Sequence, residues 1–490
     1  MTYTPNGGSA PPGAGPPTMP AMPPQPGPPA APAAQPAPAG PGGPGGPDPT
    51  PSRRTAWAEG VDQLRAAATT EPGRLRIIGA VLAFLVVAFG SMTAWQMTER
   101  SDAADNVLTS SQPLSADAAL IYRSLATANT AASSGFLAGG QETAESRQEY
   151  ERGISTAADR LVNAAANSEP GSESAETITR LNKRLPEYKG LIERARSNNR
   201  QGYPLGGAYL RYANAKMQVM LKDAEDLYKM ENQRLRSDYN AATPYPWIAI
   251  GAGVLAIGGL VWAQRRNYQR TNRVLNHGLV AATAASTVVL LWLVVGHSLA
   301  RAGLNDSYDH GVRSLNVLND ARIASLKARG NETLTLVSRG AETKEVDGEV
   351  VDAYDNDYKI QMKDLSAKLA AAEDLADDSA GESPVKGATE NMQVWQDRHK
   401  EARTADDSGD YQGALDKVIG SDDKEPTGQC FDNVDTDLEK ALEHEQSEFE
   451  VAAEGGKGAM TGLPVGAAAL AVLGASGAVL GIGRRLSEYR

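Results

Sequence analysis

Four runs of the chain are apolar enough to span a bilayer and contain no Asp, Glu, Lys or Arg: Ile77 to Met97, Pro246 to Ala263, Gly278 to Leu299 and Leu463 to Gly483. Each is close to the roughly 20 residues that cross a hydrocarbon core of about 30 Å as a helix. Between the first and second runs, and between the third and fourth, the pattern changes to polar sequence with apolar positions at helical spacing. Met217, Met220, Leu221, Ala224, Leu227 and Tyr228 trace one such face. Val434, Leu438, Ala441, Leu442, Glu445, Phe449 and Ala452 trace another, interrupted by one glutamate. Alternating β-branched runs of strand type are nearly absent. Ala138-Gly139-Gly140, Ser168-Glu169-Pro170-Gly171 and Gly202-Tyr203-Pro204 cut the first polar segment into four helices, and Gly340, Ser383-Pro384 and Ser408-Gly409 do the same for the second. An antiparallel four-helix bundle is expected in each, standing about 45 Å tall for helices of roughly 30 residues.

Basic flanks orient the apolar runs, because short Lys/Arg-rich segments stay in the cytoplasm. Arg74 and Arg76 precede the first run, Arg265, Arg266, Arg270 and Arg273 fill the turn between the second and third, and Arg484, Arg485 and Arg490 follow the last. Both termini and that turn are therefore expected inside, and both polar segments outside. Trp95, Tyr245, Trp247 and Trp262 near the span ends fit an aromatic interface belt. With about 76 residues before it and no small-residue cleavage site after it, the first run reads as an anchor and not a cleaved signal peptide.

The chain also resembles itself. PWIAIGAGVLAIGGLVWAQRRNYQR matches PVGAAALAVLGASGAVLGIGRRLSEYR in its proline, small residues, Arg pair and tyrosine. The stretch from Tyr188 to Tyr203 resembles that from Trp395 to Tyr411, and the stretch from Ser124 resembles that from Ser325. Matched order in three places points to an internal duplication, each half being span, outer domain, span. Ahead of both halves, residues 1–52 are rich in Pro, Gly and Ala with almost no large apolar residue, the composition of a disordered polyproline-type tail.

The expected fold is thus an all-α membrane protein: a disordered cytoplasmic tail (1–52), a basic juxtamembrane segment (53–76), spans at 77–97, 246–263, 278–299 and 463–483, extracytoplasmic helical bundles at 98–245 and 300–462, a cytoplasmic loop (264–277) and a cytoplasmic C-terminus (484–490). Small residues make the spans fit one another. Ala467, Ala471 and Ala475 repeat every four residues, and Gly474/Ala478 and Gly477/Gly481 do so on neighbouring faces. Signal transmission is expected along the outgoing first and third helices. Ser91 to Gln112 contains neither Gly nor Pro and reads as one rigid helix, whereas Pro244, Pro246, Gly455, Gly456, Gly458, Gly462 and Pro464 interrupt the returning pair.

Charge and chemistry narrow the function. The formal net charge of −12 is concentrated between residues 300 and 462, where acidic side chains outnumber basic ones, which argues against nucleic-acid binding by the outer face. Cys430 is the single cysteine and cannot form an intramolecular disulfide. No phosphate-binding loop, Cys-x-x-Cys, His-Glu-x-x-His or Gly-x-Ser-x-Gly motif is present. His277, His297, His310, His399 and His444 lack metal-ligand spacing, and Asp377-Asp378 and Asp422-Asp423 read as exposed turns. His297, the one ionisable side chain in a span, reads as interfacial. No enzyme, cofactor or metal site is expected.

Two outer bundles without an inner effector domain suit a receptor that lends its signal to another protein; the alternative is a structural or scaffold role at the cell envelope. The candidate contacts are Arg265, Arg266, Arg270 and Arg273 toward a cytoplasmic partner, and Tyr188, Tyr203, Trp395 and Tyr411 toward an outer one, with core packing as the competing role for the aromatics. The layout resembles the bundle ectodomains of chemoreceptors and sensor kinases. More narrowly, the duplicated four-pass plan, the Pro-rich N-terminus and the Ala/Gly-rich composition resemble the GlnX-type membrane component of an actinobacterial amino-acid-sensing system. That resemblance implies a periplasmic amino-acid-binding protein outside and a cytoplasmic Ser/Thr protein kinase inside. A second copy of the chain is the other partner expected.

Overall fold

A computed structural model describes residues 69–138, 142–271, 276–420 and 426–487. The Pro-rich tail, the juxtamembrane segment up to residue 68, Gly139-Gly140, Arg273, Asp422-Asp423 and Arg490 lie outside the described residues. In chain order the elements are α1 (Glu71–Asn106), a π segment (Val107–Ser111), α2 (Gln112–Leu137), α3 (Ala144–Asn167), α4 (Glu173–Arg200), α5 (Leu205–Ala242), α6 (Trp247–Thr271), α7 (His277–Asp306), a second π segment (Ser307–Val312), α8 (Arg313–Ser338), β1 (Thr343–Val346), β2 (Glu349–Asp352), α9 (Ala353–Leu375), α10 (Ser379–Asp407), α11 (Tyr411–Ile419), α12 (Thr427–Met460) and α13 (Leu463–Ser487).

Side-chain oxygens satisfy the backbone N–H groups that helix starts leave open. Thr143 accepts from Ser146 N, Ser172 from Ala175 N, Asn276 from Gly278 N, Asp352 from Asp355 N, and Asp378 from Ala380 N and Gly381 N. Because Asp378 caps α10, Ser383-Pro384 is no break: Pro384 lies inside the helix, and the chain turns at residues 376–378 instead.

Four helices, α1, α6, α7 and α13, hold apolar windows long enough to cross a membrane. They pack in a ring in which α1 touches α6 and α13, and α7 closes it against α13 and α6. Small residues set the spacing. A Cβ on Gly90 would stand 2.1 Å from Ala471 Cβ, and one on Gly278 2.3 Å from Gly477 O, so α13 meets both α1 and α7 nearly backbone to backbone. Phe84, Trp247, Leu255, Leu291, Leu299, Leu473 and Leu480 face outward and exposed on this ring. His297 is buried between helices, edge-on to the Tyr245 ring at 5.4 Å.

Beyond the ring, α2 to α5 pack as one group, and α8, α9, α10 and α12 as another. The groups meet where α2 lies along α8, and buried residues of both belong to one continuous apolar core that includes Tyr122, Leu125, Leu181, Leu326, Leu369 and Trp395. Chain direction therefore runs outward in α2 and α8, back in α3 and α9, and so on around each group.

The helix leaving α1 is continuous to Leu137, yet it is not uniform. A π segment interrupts it, and another stands where α7 passes into α8. With Ser124 laid on Ser325, the first π segment falls on residues 308–312. The expected rigid α-helix thus carries an extra residue of slack at the base of each outer group. The returning helices also differ from expectation. Gly455, Gly456 and Gly458 lie inside α12, and the break comes at Gly462, whose φ of +79° closes the helix. Gly456 serves packing, since its Cβ position would be 3.0 Å from Ala300 O. Pro244 and Pro246 do interrupt the other return, and α1 repairs the damage: Arg100 Nε donates to Pro244 O at 2.9 Å and Gln96 Oε1 accepts from Ala249 N at 3.0 Å.

One element was not anticipated. Thr343–Val346 and Glu349–Asp352 form an antiparallel hairpin with Val346 opposite Glu349. Asp347 and Gly348 both have positive φ, 52° and 85°, the two-residue turn that Asp-Gly favours.

Candidate functional site

The outer region places its unusual chemistry in three places: inside the second group, at its base, and along the α2–α8 seam. Inside the second group, α8 contributes Arg329 and Glu332, three residues apart and so on one face. The start of α9 contributes Asp355 and Tyr358, and α10 contributes Trp395 and His399, one turn apart. Glu332 is 1% exposed. Its carboxylate accepts from Arg329 NH1 at 2.6 Å, from Trp395 Nε1 at 3.1 Å and from His399 at 2.9 Å. The other His399 nitrogen faces Asp355 Oδ1 at 3.1 Å, and the Tyr358 ring stacks on the imidazole at 3.6 Å. Arg329 also donates to Thr427 Oγ1 and Val418 O, and Lys359 to Asp355 Oδ2.

Burial alone would lower the His399 pKa, but hydrogen bonds to Asp355 and Glu332 and the charges of both outweigh it and raise the pKa. Burial likewise pushes Glu332 up, and its bonds to His399 and Arg329 bring it below the ordinary glutamate value. The cluster is a set of closed ion pairs with no exposed nucleophile, so it acts as a clamp between α8, α9 and α10. With Ser124 on Ser325, Arg329 and Glu332 fall on Ala128 and Ala131, two buried alanines of the first group.

At the base of the second group, the second π segment, the α9–α10 turn and α12 bring together residues far apart in sequence. His310 Nδ1 lies 3.2 Å from Asp306 and 3.8 Å from Asp377. His444 Nε2 lies 3.2 Å from Asp378 Oδ1 and 3.4 Å from Glu448 Oε1. Ligand atoms of Asp378, His444 and Glu448 all lie within 4.8 Å of one another, a spacing that could hold a metal ion, on a partly exposed surface. Next to them Glu445 is buried, and burial, with Glu448 and Asp377 adding to it against Ser314 and His444, pushes its carboxyl up to about 7. Neither histidine spacing nor the Asp377-Asp378 pair announced this assembly.

The seam holds cavities on both sides of α2 and α8. One of about 380 Å³ is mostly apolar and is edged by two ion pairs, Arg123 with Glu439 at 3.0 Å and Arg322 with Asp435 at 2.7 Å. Another, of about 300 Å³, is polar and lies between α2, α5, α8 and α9.

The residues singled out from sequence do not gather at one site. Tyr188 and Trp395 are wholly buried in equivalent third helices of the two groups, so they are core residues and not an outer surface. Tyr188 donates to Asn129 Oδ1 at 3.3 Å. Tyr203 is exposed. Tyr411 is half-buried, donates to Leu336 O at 3.2 Å and carries Arg339 over its ring. At the other end of the molecule Arg265 and Arg270 are exposed on the last turns of α6, and Arg266 lies over the Trp262 ring at 5.5 Å.

A family model described as an actinobacterial sensor domain matches residues 103–240. This segment resembles a sensor domain. The sensor-like region begins in the last turn of α1, takes in the first π segment and ends near the close of α5, so its limits are those of the first outer group. No curated protein and no solved structure matches the chain.

Proposed function

We propose that this chain is a four-pass membrane sensor. In this reading it detects an extracytoplasmic solute, or a solute-loaded binding protein, through two outer helical groups that arose by duplication. It then passes the signal to a separate cytoplasmic partner such as a Ser/Thr kinase. The observation that carries it is the sensor-like region at 103–240, which occupies the polar segment between two membrane-length helices and is joined to the first through the π segment without a loop. The exposed apolar ring supports a lipid surround. The matching π segments, Ala128/Ala131 opposite Arg329/Glu332, and the buried Tyr188 and Trp395 support divergence of two copies, the second having acquired a charged core. The role is non-enzymatic, and an amino acid as the physiological signal follows from the GlnX-type resemblance alone. Crosslinking on intact cells, with and without added amino acids, tests the reading. Nutrient-dependent capture of an outer binding protein and an inner kinase is expected; capture of only envelope proteins, unchanged by nutrients, would turn the reading into the scaffold.

A further inference from the structure

The polar cleft on the seam is built from both groups. Tyr122 and Thr130 come from α2, Gln218 from α5, Lys327 and Asn331 from α8, and Gln361 from α9. One feature of it is not explained by folding. Gly330 stands in mid-α8, where glycine is a poor helix former. Nothing crowds it: a Cβ there would meet only Thr130 Oγ1, at 3.9 Å. Its absence of a side chain keeps space open between the two groups.

The charges of the lining are already matched. Lys327 pairs with Glu225 at 3.0 Å, and Asp357 pairs with Lys344. An ionic ligand would have to break one of these pairs, whereas hydroxyl groups can bond to the remaining amides and hydroxyls at no such cost. At about 300 Å³ the volume is at the low end for small-ligand sites. We infer that this cleft binds a small, net-neutral, hydroxyl-rich solute of about monosaccharide size, held between α2 and α8 by the amides and hydroxyls of the lining.

A ligand there would bear on both helices that run on into the membrane ring, so the assignment rests on the sensor reading for its purpose. Its test does not, because binding is measured on the purified full-length protein in lipid nanodiscs. Glucose, myo-inositol and glycerol are titrated calorimetrically at millimolar concentration, with acetate and glycine as charged and zwitterionic comparators. Saturable binding of at least one neutral polyol is expected. Gly330→Leu, which fits the helix and fills the cleft, should abolish it. Gln361→Ala, which removes a partly exposed amide from the lining, should weaken it about tenfold while leaving the melting temperature unchanged. Absence of saturable binding by all three polyols, binding of the comparators alone, or undiminished binding in Gly330→Leu would overturn the inference. If binding holds and the nutrient-dependent crosslinks fail, the cleft stands and the relay reading falls.

Discussion

Glu332 shows what one buried residue can decide. With 1% exposure it depends wholly on Arg329, Trp395 and His399 for hydrogen bonds. Removing its charge leaves two cations facing each other in the core, and Glu332→Gln should destabilise the outer region by about 3 kcal/mol. Replacing the whole cluster with apolar residues should cost less, because no charge is then left behind. The pH dependence has a definite sign. The His399 pKa is raised in the folded state, so the stability it contributes is complete below the ordinary histidine value near 6.5 and is lost as pH rises through the raised folded value. Thermal melts of the wild type should shift downward on going from pH 6 to pH 9, with a shallower slope in His399→Gln. An equal slope in both would show that the imidazole is not the group titrating.

At the scale of elements, the junctions between the ring of apolar helices and the two helical groups beyond it decide how motion can travel. Each π segment is held partly by the other half of the chain. Gln112, just after the first, donates to Gln446 on α12 at 2.7 Å, and Asp105, just before it, pairs with Lys457. Tyr308 in the second accepts from Arg236 on α5 at 2.8 Å, and Ser307 bonds Tyr239 at 2.7 Å. A shift of α1 or α7 is therefore coupled to the opposite returning helix, and slack at the π segments lets it occur without breaking the helix. Inserting Gly-Gly-Gly after Glu99 should uncouple ligand from response while preserving expression. The same insertion after Gly456 should damage the protein, because Gly456 is packed against Ala300 and Leu304 inside α12. The permissive site is Thr461–Gly462, where the helix already ends. Measuring response and outer binding for the three insertions checks the order; a silent Thr461 insertion beside an active Glu99 insertion would reverse the assignment of transmitter.

On the scale of the whole molecule, orientation is the property on which every functional statement depends. Arg74, Arg76, Arg265, Arg266, Arg484 and Arg485 all lie at one end of the ring of apolar helices, and the positive-inside rule predicts a cytoplasmic position for that end. Lys183 and Ser379 are exposed on the two outer groups, and Ser487 ends α13. Cysteines placed singly at these positions in a Cys430→Ser background should react with an impermeant thiol reagent on intact cells at 183 and 379 and not at 487. The opposite pattern would invert the topology and place both groups inside.

How much of this was readable along the chain follows from the range of each signal. Apolar runs, helix periodicity, the Pro244/Pro246 break and the small residues of α13 are local, since each depends on neighbours within a few turns, and they appear in the structure where the sequence puts them. The hairpin at Asp347-Gly348 was equally local, but it is too short to stand out against a helical background. Ser383-Pro384 and Gly455 to Gly458 misled because a cap at Asp378 and a close contact with α7 decide whether such residues break a helix. The Glu332 clamp, the His310 and His444 cluster and the seam cleft draw on residues dozens to more than a hundred positions apart. Their chemistry comes from desolvation and from partners that packing alone brings within reach. Sequence by itself determined which segments are apolar, which are helical and where the positive charge lies; only the tertiary structure decided which polar groups are buried together, because burial is a property of the packed whole.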